Sequence, residues 1–312
     1  MQRLVITGKS GFVGQNLANY VQGQYHLASI GRSPSAANTR DDDYCQWNDM
    51  SADFLNGAVA VIHLAGKAHD VRGTSNADEY FAVNTGLTSR LYDLFLQSTA
   101  RDFIFVSSVK AIADEVPNVL YESSEPIPQT PYGQSKLAAE RYLSSREPSA
   151  GKRVFILRPS MIHGPGNKGN LNLLYRFVKS GIPYPLAAFQ NQRSFLSVEN
   201  LCFAVTALLQ KPEIPGGAYQ LADDDALSTN EVIRLIATAL HRKPRLWNLP
   251  PRLLQTAARA GDTLRLPLNT ERLRKLTENY VVDNQRIKKA LQISSFPVPA
   301  REGLLKTIKS FG

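Results

Sequence analysis

Along the first half of the chain, short continuous apolar runs alternate with longer stretches whose apolar positions recur every three or four residues. The runs Arg3–Thr7 (RLVIT), Tyr25–Ile30 (YHLASI), Val59–Leu64 (VAVIHL), Phe103–Ser107 (FIFVS) and Val154–Leu157 (VFIL) predict strands. The stretches between them are long enough for crossover helices, one over Gly14–Gln22 and another running on through Leu137–Glu140. A strand covered on both faces shows no polar alternation, so this order predicts an α/β fold on a doubly wound parallel sheet. Beyond Pro159 the alternation loosens, and Pro183, Pro185, Pro212 and Pro215 break the chain. The change places a first domain at residues 1–165. A smaller mixed α/β lobe follows at 166–312 over the carboxyl ends of the strands, some of its elements crossing back to the first core. No internal repeat is visible.

The turn after the first strand reads Thr7-Gly8-Lys9-Ser10-Gly11-Phe12-Val13-Gly14 and opens a helix. This GxxGxxG spacing suits a dinucleotide pyrophosphate. Gly8 permits the tight turn, Gly11 lets backbone N–H groups approach, and Gly14 allows close packing of helix and sheet. Ser10, Phe12 and Val13 belong to the same candidate loop. Gly8-Lys9-Ser10 imitates the end of a triphosphate-binding loop, but that loop needs a glycine five residues earlier, where Arg3 stands. The second strand ends Ile30-Gly31-Arg32-Ser33, without the carboxylate that usually accepts from an NAD ribose. Arg32 suits adenine stacking and a 2′-phosphate, and Ser33 adds a donor. NADP is therefore expected, with NAD as the alternative and an ordinary exposed loop arginine as the plainer reading of Arg32. Asp49, next to Met50, is placed to accept from the adenine amino group.

Tyr132 and Lys136 stand four apart in Tyr-Gly-Gln-Ser-Lys, which puts both on one helix face. An ammonium and an oxidised nicotinamide beside a phenol both favour phenolate, so the ordinary pKa of about 10 is expected to fall. A phenol so tuned exchanges a proton with a sugar hydroxyl or ketone near neutral pH. Ser108 lies at the end of the Phe103–Ser107 run, where its hydroxyl can bond the reacting oxygen. Asn84 in Val83-Asn84-Thr85-Gly86 is the candidate holder of the helix or of a relay water. An isolated YxxxK is common as a surface pair; after a glycine loop and a Ser-Ser strand end, chance is a poor explanation.

Composition removes other classes. The 312 residues are 43% hydrophobic and 20% charged, with 20 Gly and 18 Pro, which excludes a disordered chain and supplies core for two domains. No apolar run approaches the ~18 residues of a membrane span, and MQRLVITGKSG reads as a strand rather than a signal peptide. Cys45 and Cys202 lie far apart, so neither a disulfide framework nor a zinc cage is expected, and a reducing cytoplasm is the default. His26, His63, His69, His163 and His241 show no ligand spacing, so no metal is expected. The net charge is +9, and residues 241–275 hold nine Lys/Arg against Asp262 and Glu271, or +7 of it. That stretch is broken by prolines and lacks a nucleic-acid motif, so no nucleic-acid partner is expected. Two readings stand for it: the solvated face of a helical cap, or an attractor of polyanions. The polyanion is either a diphosphate substrate or an acidic membrane surface touched peripherally without insertion.

Together these motifs resemble the extended short-chain dehydrogenase/reductase superfamily, in its nucleotide-sugar epimerase/dehydratase branch. The resemblance spans nearly the whole chain: residues 7–14, His63-Leu64-Ala65-Gly66, Val83-Asn84, Ser107-Ser108, Tyr132 with Lys136, and Arg158-Pro159. It continues through Gly164-Pro165-Gly166, Gly169-Asn170-Leu171, Arg193–Val198 and Val282-Asp283-Asn284. It implies a Rossmann dinucleotide-binding domain, a nucleotide-sugar substrate lobe, and Ser108, Tyr132 and Lys136 as the catalytic triad. Cofactor contacts are implied for Leu64, Ala65, Gly66, Lys67, Ser107 and Pro159, with Met50 beside Asp49. UDP-sugar contacts are implied for Asn170, Leu171 and Arg193, with Lys110 on the substrate side. A further diphosphate-binding arginine is expected before Asp283, and Arg272 and Arg274 are both candidates. A homodimer is implied as well.

Departures narrow the reaction. Val109-Lys110 follow Ser108 where 4,6-dehydratases carry Asp-Glu, so dehydration is not expected. His163 stands where relatives have Tyr before Gly-Pro-Gly and reads as a packed or surface imidazole. Gly66 replaces a frequent Ala and leaves more room beside the nicotinamide. Reductases and epimerases of this kind share their parts: Tyr132 moves a proton on the C4 oxygen while hydride passes between C4 and the nicotinamide. A net reductase exchanges its cofactor and draws on NADPH, so Arg32 without an acidic partner tilts the expectation toward reduction. The pattern Ser107–Lys110, Lys168-Gly169-Asn170 and Asn191–Ser194 also resembles enzymes that form UDP-N-acetylquinovosamine from its 4-keto-6-deoxy precursor for bacterial surface polysaccharide. UDP-hexose or UDP-N-acetylhexosamine 4-epimerisation is the alternative. A non-catalytic Rossmann redox sensor is a second, although such proteins commonly lose the Tyr or Lys that is present here.

Overall fold

Residues next to one another in a strand point to opposite faces, and in the central strands of this protein both sets are apolar. The computed structural model describes residues 1–32, 43–68, 76–116, 118–167, 169–264 and 269–312; the side chains of Leu264, Arg272 and Lys275 are not part of that description. Ser33, His69 and Lys168 lie outside the described residues.

The strands are β1 (Gln2–Thr7), β2 (Tyr25–Gly31), β3 (Asp43–Gln46), β4 (Ala58–His63), β5 (Asp102–Val106), β6 (Val119–Leu120), β7 (Arg153–Pro159), β8 (Met161–His163), β9 (Phe195–Ser197), β10 (Gly217–Leu221) and β11 (Val281–Val282). The helices of the first half are α1 (Phe12–Tyr20), α2 (Ala52–Leu55), α3 (Ala77–Tyr80), α4 (Leu87–Gln97) and α5 (Pro131–Ser144). Those of the second half are α6 (Asn170–Lys179), α7 (Val198–Gln210), α8 (Thr229–Ala239), α9 (Pro251–Leu264), α10 (Thr270–Thr277), α11 (Gln285–Leu291) and α12 (Ala300–Lys309).

Seven strands pair in parallel in the order β10-β7-β5-β4-β1-β2-β3, the Rossmann arrangement expected from the alternation. Leu4, Ile6, Ile62, Ile104 and Phe155 project to one side, against Leu17 of α1 and Leu201, Val205 and Leu208 of α7. Val5, Val61, Phe103, Phe105 and Ile156 project to the other, against Leu91, Tyr92 and Phe95 of α4 and Leu143 of α5. Each side chain so buried contributes about 1.5–3 kcal/mol, which is why these runs carry no polar alternation. The chain moves outward from β1 through β2 to β3, then returns to the other side of β1 at β4. Connections diverging on either side of that point leave a crevice at the carboxyl ends of β1 and β4.

Two strands of the seven-stranded sheet escaped the apolar pattern. β3 reads Asp-Tyr-Cys-Gln at the sheet edge, where one side is solvated and length is short. β10 comes from the second half of the chain, yet it pairs with β7 from Gly217 opposite Phe155 to Leu221 opposite Pro159. With α7 and the Ile287 and Leu291 side chains of α11, it belongs to the main core. Tyr280 and Val282 join Val109, Ile112 and Leu120 in a small core, and two further cores form within the second half. Leu171, Phe195, Ile236, Leu304 and Ile308 form one, and Tyr184, Leu186, Ile233, Leu254, Ala258 and Leu273 the other. Among the described residues no helix is long and apolar enough to cross a membrane. Cys45 and Cys202 are both buried as free thiols.

Candidate active site

The glycine loop closes on itself through Gly11 N–H donating to Gly8 O at 3.0 Å. Gly8 has φ +70°, and a Cβ there would stand 2.7 Å from the Ala65 backbone nitrogen, so both conformation and space demand glycine. A Cβ on Gly14 would lie 2.3 Å from Gly8 O, so this glycine packs helix α1 against its own loop rather than against the sheet. No side chain caps the N-terminus of α1. Its first amides are therefore left without a side-chain partner just past the carboxyl end of β1, and the residues present fit a dinucleotide pyrophosphate. Arg32 is exposed immediately after β2, and Asp49 is exposed three residues past β3; β2 and β3 are neighbours. Met50, by contrast, is buried in the core beneath them, where its side chain packs with Leu55 and Ile30.

Behind the crevice a chain of hydrogen bonds ties β1 to α5. Thr88 Oγ1 donates to Asn84 O at 2.6 Å, which commits its proton. His63 Nε2, 2.9 Å from Thr88 Oγ1, must then be the donor, and Nδ1 accepts from Thr7 Oγ1 at 2.6 Å. Thr7 Oγ1 in turn accepts from Ala65 N–H at 3.1 Å. Burial holds the His63 imidazole neutral, with its pKa pushed down to about 3; the Lys136 charge acts in the same direction. Asn84 lies on a π-helical turn, Phe81–Gly86, between α3 and α4. Its Oδ1 accepts from Lys67 N–H at 2.7 Å, and its Nδ2 donates to Lys67 O at 3.0 Å and to Ser135 Oγ at 2.9 Å. The side chain thus holds the Leu64–Lys67 turn against α5, and the wider π turn aims it there.

Helix α5 starts with Thr130 Oγ1 accepting from Gly133 N–H and Pro131 in the first turn, both favourable N-terminal signals. Tyr132, Lys136 and Glu140 follow at intervals of four and share one face. The Lys136 ammonium donates to Val106 O at 2.9 Å and sits 4.7 Å from the centre of the Phe105 ring. Burial lowers its pKa to about 8, while Glu140 works to raise it. A Cβ on Gly66 would come within 3.2 Å of the Lys136 Nζ and 3.0 Å of Asn84 Oδ1, so the missing side chain opens space directly beside the ammonium. Tyr132 is hydrogen-bonded to Ser108 and packs edge-on against Tyr80. Its phenol stands above the ordinary value: burial raises it and outweighs the Ser108 bond, which lowers it. This differs from the expectation that the phenol is lowered. Desolvation of the ring is the larger effect in the protein alone, and Lys136 turns its ammonium to a strand carbonyl.

The two serines separate. Ser108 caps a short 3₁₀ turn at Val109–Ala111 in extended conformation and meets Tyr132. Ser107 turns its hydroxyl onto the Glu140 carboxylate, which also takes Arg158 in a buried two-pronged pair, Nη2 at 2.6 Å and Nε at 3.0 Å. Pro159 ends β7 at the same level of the sheet. Thr7, His63, Thr88, Ser135, Glu140 and Arg158 were not among the sequence candidates, although Thr7, His63 and Arg158 lay inside the quoted motifs and Glu140 stands four beyond Lys136.

The proposed sugar-nucleotide side gathers around one charge cluster. The Lys110 ammonium donates to Asp114 O at 2.6 Å and lies 4.4 Å from the Tyr280 ring centre; burial lowers its pKa, and Arg193 and Glu278 are among the charges it feels. Arg193 faces Glu278 at 3.6 Å from the turn before β9. Arg274 forms an ion pair with Glu115, and both are among the charges that act on Glu278. Of the two late arginines, Arg274 is the one seen to join this cluster; the Arg272 side chain is outside the description. Asn170 opens α6 exposed, whereas Leu171 is buried in the lobe core and offers a ligand only its backbone. His163 is packed, bonded to Thr307 and facing Asp223. Among the described residues no group of His, Cys, Asp and Glu is arranged to hold a metal ion.

Residues 4–222 match the NAD dependent epimerase/dehydratase family. The chain is 32% identical over 259 residues to a UDP-glucose 4-epimerase from Vibrio cholerae, covering 79% of this chain and 78% of the relative. It is 26% identical over 269 residues to a GDP-6-deoxy-D-mannose reductase from Pseudomonas aeruginosa, covering 83% and 86%. In fold it is similar to the crystal structure of UDP-N-acetylglucosamine 4-epimerase from Bacillus cereus, with TM-score 0.77 over 100% of this chain and 98% of the other at 22% identity.

Proposed function

The chain belongs to the NAD dependent epimerase/dehydratase family, and from that premise we propose that it carries out oxidoreduction at C4 of a UDP-hexose, with Tyr132 as the proton-transfer residue. The observation that carries this reading is the pairing of Ser108 with Tyr132 on the face of α5 that also bears Lys136, whose ammonium lies beside the open space at Gly66. The residues at 8–14 and 64–67, with Asn84 behind them, would hold a pyridine dinucleotide, whose nicotinamide would supply the hydride donor or acceptor. Ser108 orients the C4 oxygen, Tyr132 moves its proton, and Lys136 stabilises the phenolate side of that transfer. Lys110, Arg193 and Arg274 are the cations proposed for the diphosphate.

The net reaction we infer is reduction of a UDP-4-keto-6-deoxy-N-acetylhexosamine to UDP-N-acetylquinovosamine, with NADPH as donor. Support comes from Arg32, exposed at the end of β2 with Gly31 rather than an acid before it. Dehydration is not supported, because Val109 is buried and Lys110 is committed to a carbonyl where an acid and a base are needed. Epimerisation at C4 is the second reading, favoured by the 32% identical UDP-glucose 4-epimerase. Incubation with the 4-keto-6-deoxy sugar nucleotide and NADPH decides: reduction consumes the 340 nm absorbance stoichiometrically. If instead UDP-N-acetylglucosamine alone yields its C4 isomer while the keto sugar leaves NADPH untouched, the reductase reading is wrong.

A further inference from the structure

We infer that the outer face of the second lobe, from Arg242 to Arg259, is a docking surface for an anionic lipid bilayer. The inference does not rest on the reaction proposed above. Residues 241–275 hold +7 of the net +9, so the rest of the chain is close to neutral and the field is local. From the end of α8 the chain runs beside the Tyr184–Ala187 segment, with Tyr184 N–H donating to Arg245 O at 2.8 Å and Trp247 N–H to Tyr184 O at 2.9 Å. It then enters α9 at Pro251. Along this path the inward residues Leu246, Leu254 and Ala258 join one core with Tyr184. Their neighbours turn outward: Trp247 is 55% and Leu253 58% exposed, and Ile182, two residues before Tyr184, is 55% exposed. Arg242, Lys243, Arg245, Arg252 and Arg259 are exposed among them.

A cavity of ≈ 290 Å³ opens in the same face, with Ile182, Tyr184 and Ile233 among its apolar walls and Arg242, Lys243 and Arg245 contributing its cations. Two of these arginines are oriented rather than loose: Arg242 donates to Lys179 O at 2.7 Å and Arg245 to Gly181 O at 2.9 Å, at the carboxyl end of α6. A guanidinium has five donors, so one anchoring bond leaves others for an anion. Cations around exposed tryptophan, leucine and isoleucine match the interface of a bilayer, where phosphates meet the cations and apolar side chains enter the headgroup boundary. A second copy of this chain would oppose its own positive field. A nucleic acid would satisfy the cations but leave the apolar side chains uncovered.

The test uses the full chain with vesicles of phosphatidylcholine alone and of phosphatidylcholine with phosphatidylglycerol. We expect at least tenfold more protein to sediment with the anionic vesicles at low salt, and the tryptophan emission to shift to shorter wavelength. The shift should vanish in Trp247→Phe, which leaves Trp47 as the only tryptophan. Because each surface cation is worth a factor of about five in partition, Lys243→Glu/Arg252→Glu/Arg259→Glu should weaken binding by roughly a hundredfold or more at unchanged melting temperature. If that variant fails to fold, the corresponding triple glutamine variant takes its place, with an expected loss of about a hundredfold. Equal sedimentation with both vesicle types overturns the inference. So does vesicle binding that survives the charge changes or leaves Trp247 emission unmoved. Binding to dextran sulfate as tight as to anionic vesicles, with no emission shift, assigns the surface to a soluble polyanion instead.

Discussion

The crevice beneath Tyr132 and the outer face of the second lobe both owe their character to charged and polar side chains, and they use them in opposite ways. In the crevice, His63, Lys136, Glu140 and Arg158 are buried, and each is held by a defined hydrogen-bond partner. On the outer lobe, Arg242, Lys243, Arg252 and Arg259 stand in solvent, where each is worth little alone and the sum makes a field. The first region depends on the placement of individual atoms, so single changes should be severe. The second depends on total charge, so single changes should be mild and only accumulated ones felt.

The largest effect expected from that contrast is at Tyr132. Tyr132→Phe removes one oxygen and should lower turnover by ~10²–10⁴, the usual range for a positioned proton-transfer group. Cofactor affinity, measured by fluorescence titration, should stay as in the parent protein; full turnover would remove the tyrosine from the mechanism.

Next comes Glu140, which touches neither proposed ligand. Glu140→Gln strips the charge partner from the buried Arg158, and breaking such a pair costs about 3–5 kcal/mol of stability, readable by urea unfolding. A second readout separates positioning from mere support. Lys136 loses its ammonium as pH rises through about 8, so turnover should decline along that limb. The Glu140 carboxylate raises the Lys136 pKa, so its neutralisation should move the limb to lower pH. An unmoved limb would leave Glu140 a stabilising residue only.

A smaller loss is expected at Arg193, half-way in character between the two regions: it is partly buried and paired with Glu278. Arg193→Ala should raise KM for a UDP-sugar by the loss of charge-assisted bonds, typically ~1.5–3 kcal/mol each. An unchanged KM would place the diphosphate elsewhere. The smallest effect belongs to the outer face. Arg259→Gln alone should shift stability by no more than about 0.5 kcal/mol and leave turnover intact. A large loss there would erase the contrast between the regions.

Much of the first half was legible because its signals are local. A glycine that must adopt φ +70° beside another backbone leaves a glycine in the sequence, and two side chains on one helix face leave a spacing of four. Three things were not legible. The depth of Met50 and Leu171 depends on what packs over them, which adjacent residues do not reveal. Ser108 was named from the strand end, but that Ser107 turns its hydroxyl away onto the Glu140–Arg158 pair was not visible in the residues around it. The shift of the Tyr132 phenol is upward because desolvation scales with everything around the ring, while the sequence displayed only its lysine neighbour.

By itself, then, the order of residues determined the parallel sheet, the glycine turn after β1 and the Tyr–Lys helix, since each follows from backbone sterics, strand burial or helical period over a few positions. Tertiary structure decided the rest: that β10 returns to the main sheet, that Thr7, His63, Thr88 and Asn84 form one hydrogen-bonded chain, and that Lys110, Arg193 and Arg274 share a cluster with Glu278. Most of these contacts join residues tens to more than a hundred positions apart. Their energies depend on distance and on the exclusion of water, neither of which is set until the whole chain has closed around them.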